Sequence, residues 1–568
     1  MYFPQLSTPR QSRVTVSRFL GLDRRPRGQE GSFREMENLC ADGYPTLTVR
    51  RPRGVAGSAV SPGGLTVKEG LIWVDGHTLY INGSAAGLAL SEGRKQLISM
   101  GAWLLIWPDK AYINTKDLTD FGSLENKRVT EGEVSFALCR PDGTVYSGYL
   151  AADEAPEEPE AGSLWLDTGG DETALRQYGQ DGWTAVDDVC VRMNAAGIGI
   201  GFTAGDGVAV SGCRETALNG SFPLRSVEDD YVVVTALPRS LSSQSDPVTV
   251  ERSVPDMDYV VESGNRLWGC KYGIVNGQAV NAIYASKLGD FKNWNCYAGL
   301  STDSYAASRG SDGAFTGAAD PLFFKENCVE RVYPSASGAH QIVTVQCAGV
   351  KSGSSGSLRV VDGKLYYHSQ GGVCVFDGSM PVHVSQALGE MRYHNAVAGA
   401  LDGSYYLSAA DENGAWHLLV LDTRQGLWYW EDGVEAVGFA PWGGDLYCLT
   451  AAGQLLAMKG SGENREGPVQ WLAETGELGL DAPESRYLVR LSLRLLPEAD
   501  STVRAWVSYD EGGSWQPAGS LCGVGRLRAC TMHVRPRRCR QLRLRLTGQG
   551  GCRIYSLSAV YEKGSDGP

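Results

Sequence analysis

Pro321-Leu322-Phe323-Phe324, Gly363-Lys364-Leu365-Tyr366-Tyr367, Gly403-Ser404-Tyr405-Tyr406-Leu407 and Gly444-Asp445-Leu446-Tyr447-Cys448 are four versions of one opening, about forty residues apart. In the third version the opening leads to the turn Asp411-Glu412-Asn413-Gly414, a second apolar run His417-Leu418-Leu419-Val420-Leu421-Asp422 and the aromatic run Leu427-Trp428-Tyr429-Trp430. Short apolar runs separated by Gly- and Asp-bearing turns make a meander of hairpins, and a period of about forty residues is that of one four-stranded propeller blade. Working outward, Gly70-Leu71-Ile72-Trp73, Ala102-Trp103-Leu104-Leu105-Ile106 and Asn265-Arg266-Leu267-Trp268 fit the same rhythm more loosely. The expected fold class is therefore all-β, a β-propeller of six or seven blades, with a pair of β-sandwiches as the competing arrangement.

The rhythm breaks in three places. Residues 1–54 are rich in Arg, Gly and Pro and read as an N-terminal docking arm that orders against a neighbouring surface. The first blades are expected over 55–128 and the remaining ones over 258–480. Between them, 129–257 holds the acidic stretch Asp153-Glu154-Ala155-Pro156-Glu157-Glu158-Pro159-Glu160 and two compact strand-and-turn units, read as inserted small β domains. One unit runs from Gly162-Ser163-Leu164-Trp165-Leu166-Asp167 to Gly182-Trp183-Thr184-Ala185-Val186. Over 481–568, the alternation of Val489, Leu491, Leu493 and Leu495 with Arg490, Ser492 and Arg494 predicts a C-terminal β-sandwich. Its outer face is expected to be basic, carrying Arg490, Arg494, Arg543 and Arg545.

Composition limits the chemistry. The 14 cysteines are spread from Cys40 to Cys552 with no C-x-x-C pair, and the seven histidines form no metal-binding spacing, so neither a metal nor a cofactor is expected. No apolar run is long enough to span a membrane as a helix, and synthesis in a cytosol is the expectation. Charge is unevenly placed: 1–54 carries ten Arg against five acids, and 482–560 carries thirteen Arg against five. These ends together hold +13, so the rest of a chain whose total is −13 holds −26. An acidic middle repels nucleic acid, whereas basic ends suit acidic partners. Arg13, Arg18, Arg24, Arg25, Arg50, Arg51 and Arg53 are the candidate docking residues.

Ser508-Tyr509-Asp510-Glu511-Gly512-Gly513-Ser514-Trp515 matches the Asp-box hairpin, in which Ser508, Asp510, Gly512 and Trp515 have structural roles: the carboxylate bonds turn amides, glycine adopts positive φ and Trp packs beneath. The box resembles that of sialidases, but their Arg-Ile-Pro signature is absent. Gly197-Ile198-Gly199-Ile200-Gly201 lacks the Gly-Lys-Ser/Thr ending of a phosphate loop.

Two further stretches carry a family resemblance. The first is Phe19-Leu20-Gly21-Leu22-Asp23, with Met36-Glu37-Asn38-Leu39 and Tyr44-Pro45-Thr46-Leu47-Thr48-Val49-Arg50-Arg51-Pro52. The second is Asn265-Arg266-Leu267-Trp268 followed by Ile283-Tyr284-Ala285-Ser286-Lys287-Leu288-Gly289-Asp290-Phe291-Lys292-Asn293-Trp294. Together they resemble the tail nozzle and packaged-DNA stabilisation proteins of short-tailed bacteriophages. The resemblance implies a virion structural protein of the tail, one subunit of a homo-oligomeric ring that retains and then conducts the genome. It also implies docking to tail adaptor or portal-proximal proteins, non-specific passage of DNA, and no enzymatic activity. The alternatives are a glycan-binding or glycan-hydrolysing propeller of sialidase-like kind and a tail-tip protein that contacts the host surface.

Overall fold

The computed structural model describes residues 11–563 apart from 27, 171, 295–302, 307–312, 335–339, 463, 479–485, 510–513, 533, 536, 540 and 541. It is all-β: strands and short 3-10 turns account for its regular structure among the described residues. No helix among them is long and apolar enough to cross a membrane. The chain divides into two compact units, one made of 1–95, 324–329 and 346–568, the other of 96–323 and 330–345.

The recurrent element is a four-stranded antiparallel meander, and six such sheets and one five-stranded version occur among the described residues. In the first unit one begins at Pro62–Val67, one at Arg359–Val361, one at Tyr393–Leu401 and one at Ala436–Trp442; in the second unit two begin at Gln96–Met100 and Tyr259–Ser263. A seventh covers Gly317–Ala319 to Gln341–Gln346. The repeated openings mark the first turn of a sheet. Asp362 and Gly363, with φ of 46° and 77°, and Asp402 and Gly403, with 51° and 78°, have the paired positive φ of a two-residue hairpin. Only Gly takes such angles without strain, and Asp and Asn tolerate them, which is why the repeat reads Asp-Gly at those places.

The sheet starting at Ala436–Trp442 is completed from the other end of the chain. Gly54–Ser58 pairs antiparallel with Gln454–Ala457, from Gln454 opposite Ser58 to Ala457 opposite Gly54. An early strand thus extends the last meander, the device by which propellers close, and Asn464–Arg465 pairs along its outer side. Inner strands pack closely: a Cβ on Gly399 would lie 2.5 Å from the Cβ of Phe439. Leu65 of the first sheet shares a core with Ala440, Leu449 and Leu455 of the last.

The insertion runs between paired strands, Asn126–Val129 and Thr249–Arg252, so it leaves and rejoins the scaffold at one place. Its seven-stranded sheet buries Val191, Met193, Val208, Val210, Val232, Val234 and Val250. A separate four-stranded sheet, Tyr149–Ala152, Leu164–Asp167, Ala174–Gly179 and Gly182–Ala185, adds Leu166 and Leu175 to that core.

The C-terminal part is a two-sheet assembly, and here the structure departs from the sequence reading. Residues 1–54, read as a docking arm that orders against a neighbouring surface, supply strands to both sheets of their own chain. Gln11–Val16 and Leu47–Val49 pair with Cys552–Lys563, and Phe33–Glu37 pairs with Gln470–Thr475. The segment buries little by itself, so it gains order from strand edges in its own chain. The strand Arg486–Pro497 also differs in detail: a register shift between Leu488 and Arg490 turns Leu488 into the core, with Val489 only half-buried. Beyond it Leu491, Leu493 and Leu495 are buried as the alternation required.

Candidate functional site

The arginines singled out from sequence are mostly engaged within the chain. Arg50, 6% exposed, donates through Nε to Asn38 Oδ1 at 2.7 Å and pairs with Asp432 at 2.9 Å and with Glu466. Arg53, 5% exposed, pairs with Glu431 and Asp432, each at 2.9 Å, and those acids hold its pKa above the usual arginine range against the cost of burial. Arg24 pairs with Glu35 at 2.6 Å and lies over the Trp430 ring at 4.2 Å. Arg25 pairs with Asp23 at 2.6 Å, and Arg18 lies over Tyr44. Arg13 reaches Ser558 Oγ at 3.4 Å. Arg51 is exposed, as are Arg13, Arg18 and Arg25, and lies beside another polar cleft of about 480 Å³. The segment is thus clamped within the chain by ion pairs, and the docking assignment is corrected for Arg24, Arg50 and Arg53, while Arg25 stays exposed and bonds only Asp23 two residues away.

The basic sheet face is corrected as well. Arg490 and Arg494 are exposed on the strand Arg486–Pro497, whereas Arg543 and Arg545 belong to the other sheet. The latter two share buried Glu474, at 3.1 and 2.7 Å, and both guanidinium groups lie over Trp515, at 5.1 and 4.0 Å. Of the Asp-box, Ser508 is buried and Trp515 packs under these arginines, while Asp510 and Gly512 lie outside the described residues.

What the structure assembles instead is a polar cleft of about 730 Å³ in the first unit. Its floor is a sheet face built by strand register. Glu37 is opposite Leu472, Leu472 opposite Thr547, and Thr547 opposite Arg504. Two residues along, Gln470 is opposite Gln549 and Gln549 opposite Thr502. Residues two apart on a strand share a face, so one surface carries a carboxylate, a guanidinium, amides and hydroxyls, while Ala473, Leu546 and Ala505 turn to the core. The wall is the Arg50, Asp432 and Glu466 cluster. Although Glu37 is exposed, crowding by the cleft and then the charge of Asp432 push its pKa up, against the opposing pull of Arg50 and His417. A carboxyl whose affinity for a proton is raised, set among other acids and an arginine, is suited to general acid chemistry and to hydrogen bonding with hydroxylated ligands.

Sequence reading missed this surface because its residues come from 33–37, 466–475, 502–508 and 543–549, segments joined only by strand register. Of the residues that carried the family resemblance, Glu37, Asn38 and Arg50 line this cleft, and others hold the fold. A Cβ on Gly21, whose φ is 70°, would lie 2.4 Å from the Trp428 carbonyl oxygen, while Asn38 Nδ2 donates to the Gln470 carbonyl at 2.8 Å. In the second stretch buried Arg266 donates to the Ser286 carbonyl at 2.7 Å, Ser286 Oγ accepts from Leu267 N at 3.0 Å, and Trp294 Nε1 donates to the Phe291 carbonyl at 2.9 Å.

No protein-family description matches the chain, and no curated protein matches it. Among solved structures it is similar to an exo-β-1,3-galactanase from Phanerochaete chrysosporium at 9% identity, over 53% of this chain and 94% of that one, with a TM-score of 0.20. It is similar to the phage phi92 endosialidase at 10% identity, over 78% of this chain and 64% of that one, with a TM-score of 0.20. A sialidase from Trypanosoma rangeli aligns over 98% of this chain and 96% of its own, at 10% identity and a TM-score of 0.21. Likeness at this level fixes no role for any residue. The expectation of no enzymatic activity is not kept: these three structures are those of enzymes.

Proposed function

We propose that this chain is a glycan-engaging β-propeller protein of a bacteriophage tail, with the cleft over Glu37, Thr547 and Arg504 as its saccharide site. The observation that carries the reading is the composition of that sheet face: carboxylate, guanidinium, amide and hydroxyl side chains in register on a rigid floor, the donors and acceptors that a hydroxyl-rich ligand needs. The rigid strands hold these groups in place before the ligand arrives, which lowers the ordering cost of binding. The tail assignment rests on the resemblance alone, several of whose residues here are buried staples. The test is an array of bacterial envelope polysaccharides probed with the full chain, with reducing ends measured after incubation. Binding lost in Arg504→Ala, and reducing ends lost in Glu37→Gln, support the reading; a chain that binds none of the glycans ends it.

A second reading is the nozzle subunit of the head-to-tail DNA channel, in a ring of identical copies docked to the adaptor. It is favoured by the −26 carried outside the two basic ends, because an acidic wall gives passing DNA no attractive contact. Immunogold labelling of particles distinguishes the two: label confined to the head-to-tail axis favours the channel, and label at the tail periphery favours the glycan reading.

A further inference from the structure

The inserted four-stranded sheet has two unlike faces. Leu164, Leu166 and Leu175 turn to the core of the insertion. On the other face register places Trp165 opposite Arg176 and Tyr178 opposite Trp183. The Trp165 and Trp183 rings are 5.4 Å apart edge to face, and Tyr178 is 5.3 Å from Trp183. Trp165 is buried, with Nε1 donating to the Ala152 carbonyl at 2.9 Å, so it buttresses the group, while Trp183 and Tyr178 are half-exposed. Beside them Arg176 pairs through Nε with Asp167 at 2.9 Å, keeping polar donors and acceptors next to the rings.

We propose that this face is a separate binding platform for uncharged polysaccharide. Two half-exposed aromatic rings held by a third are costly to leave in water for stability alone, and exposed aromatic surface rimmed by polar groups marks a binding site. Sugar rings present C–H faces to such rings and hydroxyls to the flanking ion pair. Charge selects among glycans. Between Tyr149 and Asp188 the sequence holds eleven acidic residues against the single Arg176, so sialylated, sulfated or phosphorylated chains are repelled. The platform therefore differs in specificity from the cleft, which holds its own arginines, and it does not rest on the cleft reading.

The experiment is retention of the full chain on chitin and cellulose and its retardation in gels containing laminarin, with polysialic acid as the anionic comparator. The expected result is retention or retardation by at least one uncharged polymer, none by polysialic acid, and binding about tenfold weaker in Trp183→Ala at unchanged melting temperature. Trp183→Phe, which keeps a ring, retains part of the binding, and Arg504→Ala in the cleft leaves it intact. No interaction with any uncharged polymer overturns the proposal. So does binding that Trp183→Ala leaves unchanged, or binding to polysialic acid alone.

Discussion

The sheet from Tyr393 to Glu431 and the inserted sheet from Tyr149 to Ala185 are both four-stranded and aromatic-rich, yet they use their rings in opposite ways. In the first, Tyr405, Tyr406, Trp428 and Tyr429 are at most 2% exposed, and Trp428 Nε1 donates to the Val384 carbonyl at 2.8 Å. In the second, Trp183 and Tyr178 remain half in solvent. The repeat sheet is covered on both faces by neighbouring elements, whereas the inserted sheet has one face on its core and one free. The same residue type is thus scaffold in one setting and ligand-facing surface in the other.

The comparison breaks most visibly if aromatic truncation costs the same in both sheets. Trp428→Ala is expected to lose about 4 kcal/mol, from the cavity and the orphaned carbonyl, read as a lower denaturant midpoint. Trp183→Ala is expected to lose under about 1 kcal/mol, because its ring is half-hydrated in the folded state. Next in size, Arg53→Ala strands buried Glu431 without its closest cation and is expected to cost about 3 kcal/mol in the same assay.

Acid sharpens the contrast. His368, buried in a repeat sheet against Ser354 Oγ at 3.2 Å, has its pKa pushed down to about 4 by burial, with Lys351 and His394 adding to the shift. The unfolded chain takes up this proton near pH 6.5 and the folded chain only near 4, so stability falls as pH drops through that window and is steady again below it. The loss is on the order of 3 kcal/mol from this group, and His368→Gln should remove that part of the pH dependence. The smallest effect is at Glu37, whose raised pKa makes its charge unfavourable in the folded state. Glu37→Gln should raise the melting temperature slightly at neutral pH, with the gain fading as pH falls and the native carboxylate becomes protonated.

The repeat was legible from sequence because its turns need positive φ and so concentrate Asp-Gly at Asp362-Gly363 and Asp402-Gly403. The inserted unit was legible as strands and turns, but which face its tryptophans occupy depends on where the core lies, which the local pattern of Leu164-Trp165-Leu166 leaves open. The first 54 residues were not legible as strands, since their order comes from edges that lie more than 400 residues away in sequence. Arg50 and Arg53 read as surface charges for the same reason: Glu431, Asp432 and Glu466 reach them only through the fold. The cleft has no local signature at all, because each of its strands contributes one or two polar residues to a row that exists only across the sheet.

The account holds that the repeat sheets are scaffold and that saccharide recognition belongs to the sheet faces added to them. The most direct measurement is the glycan array itself, run with the full chain, Arg504→Ala and Trp183→Ala side by side. The account predicts two sets of glycans, one lost with Arg504→Ala and an uncharged one lost with Trp183→Ala. An array that stays blank for the full chain, or a set of glycans indifferent to both substitutions, would contradict it.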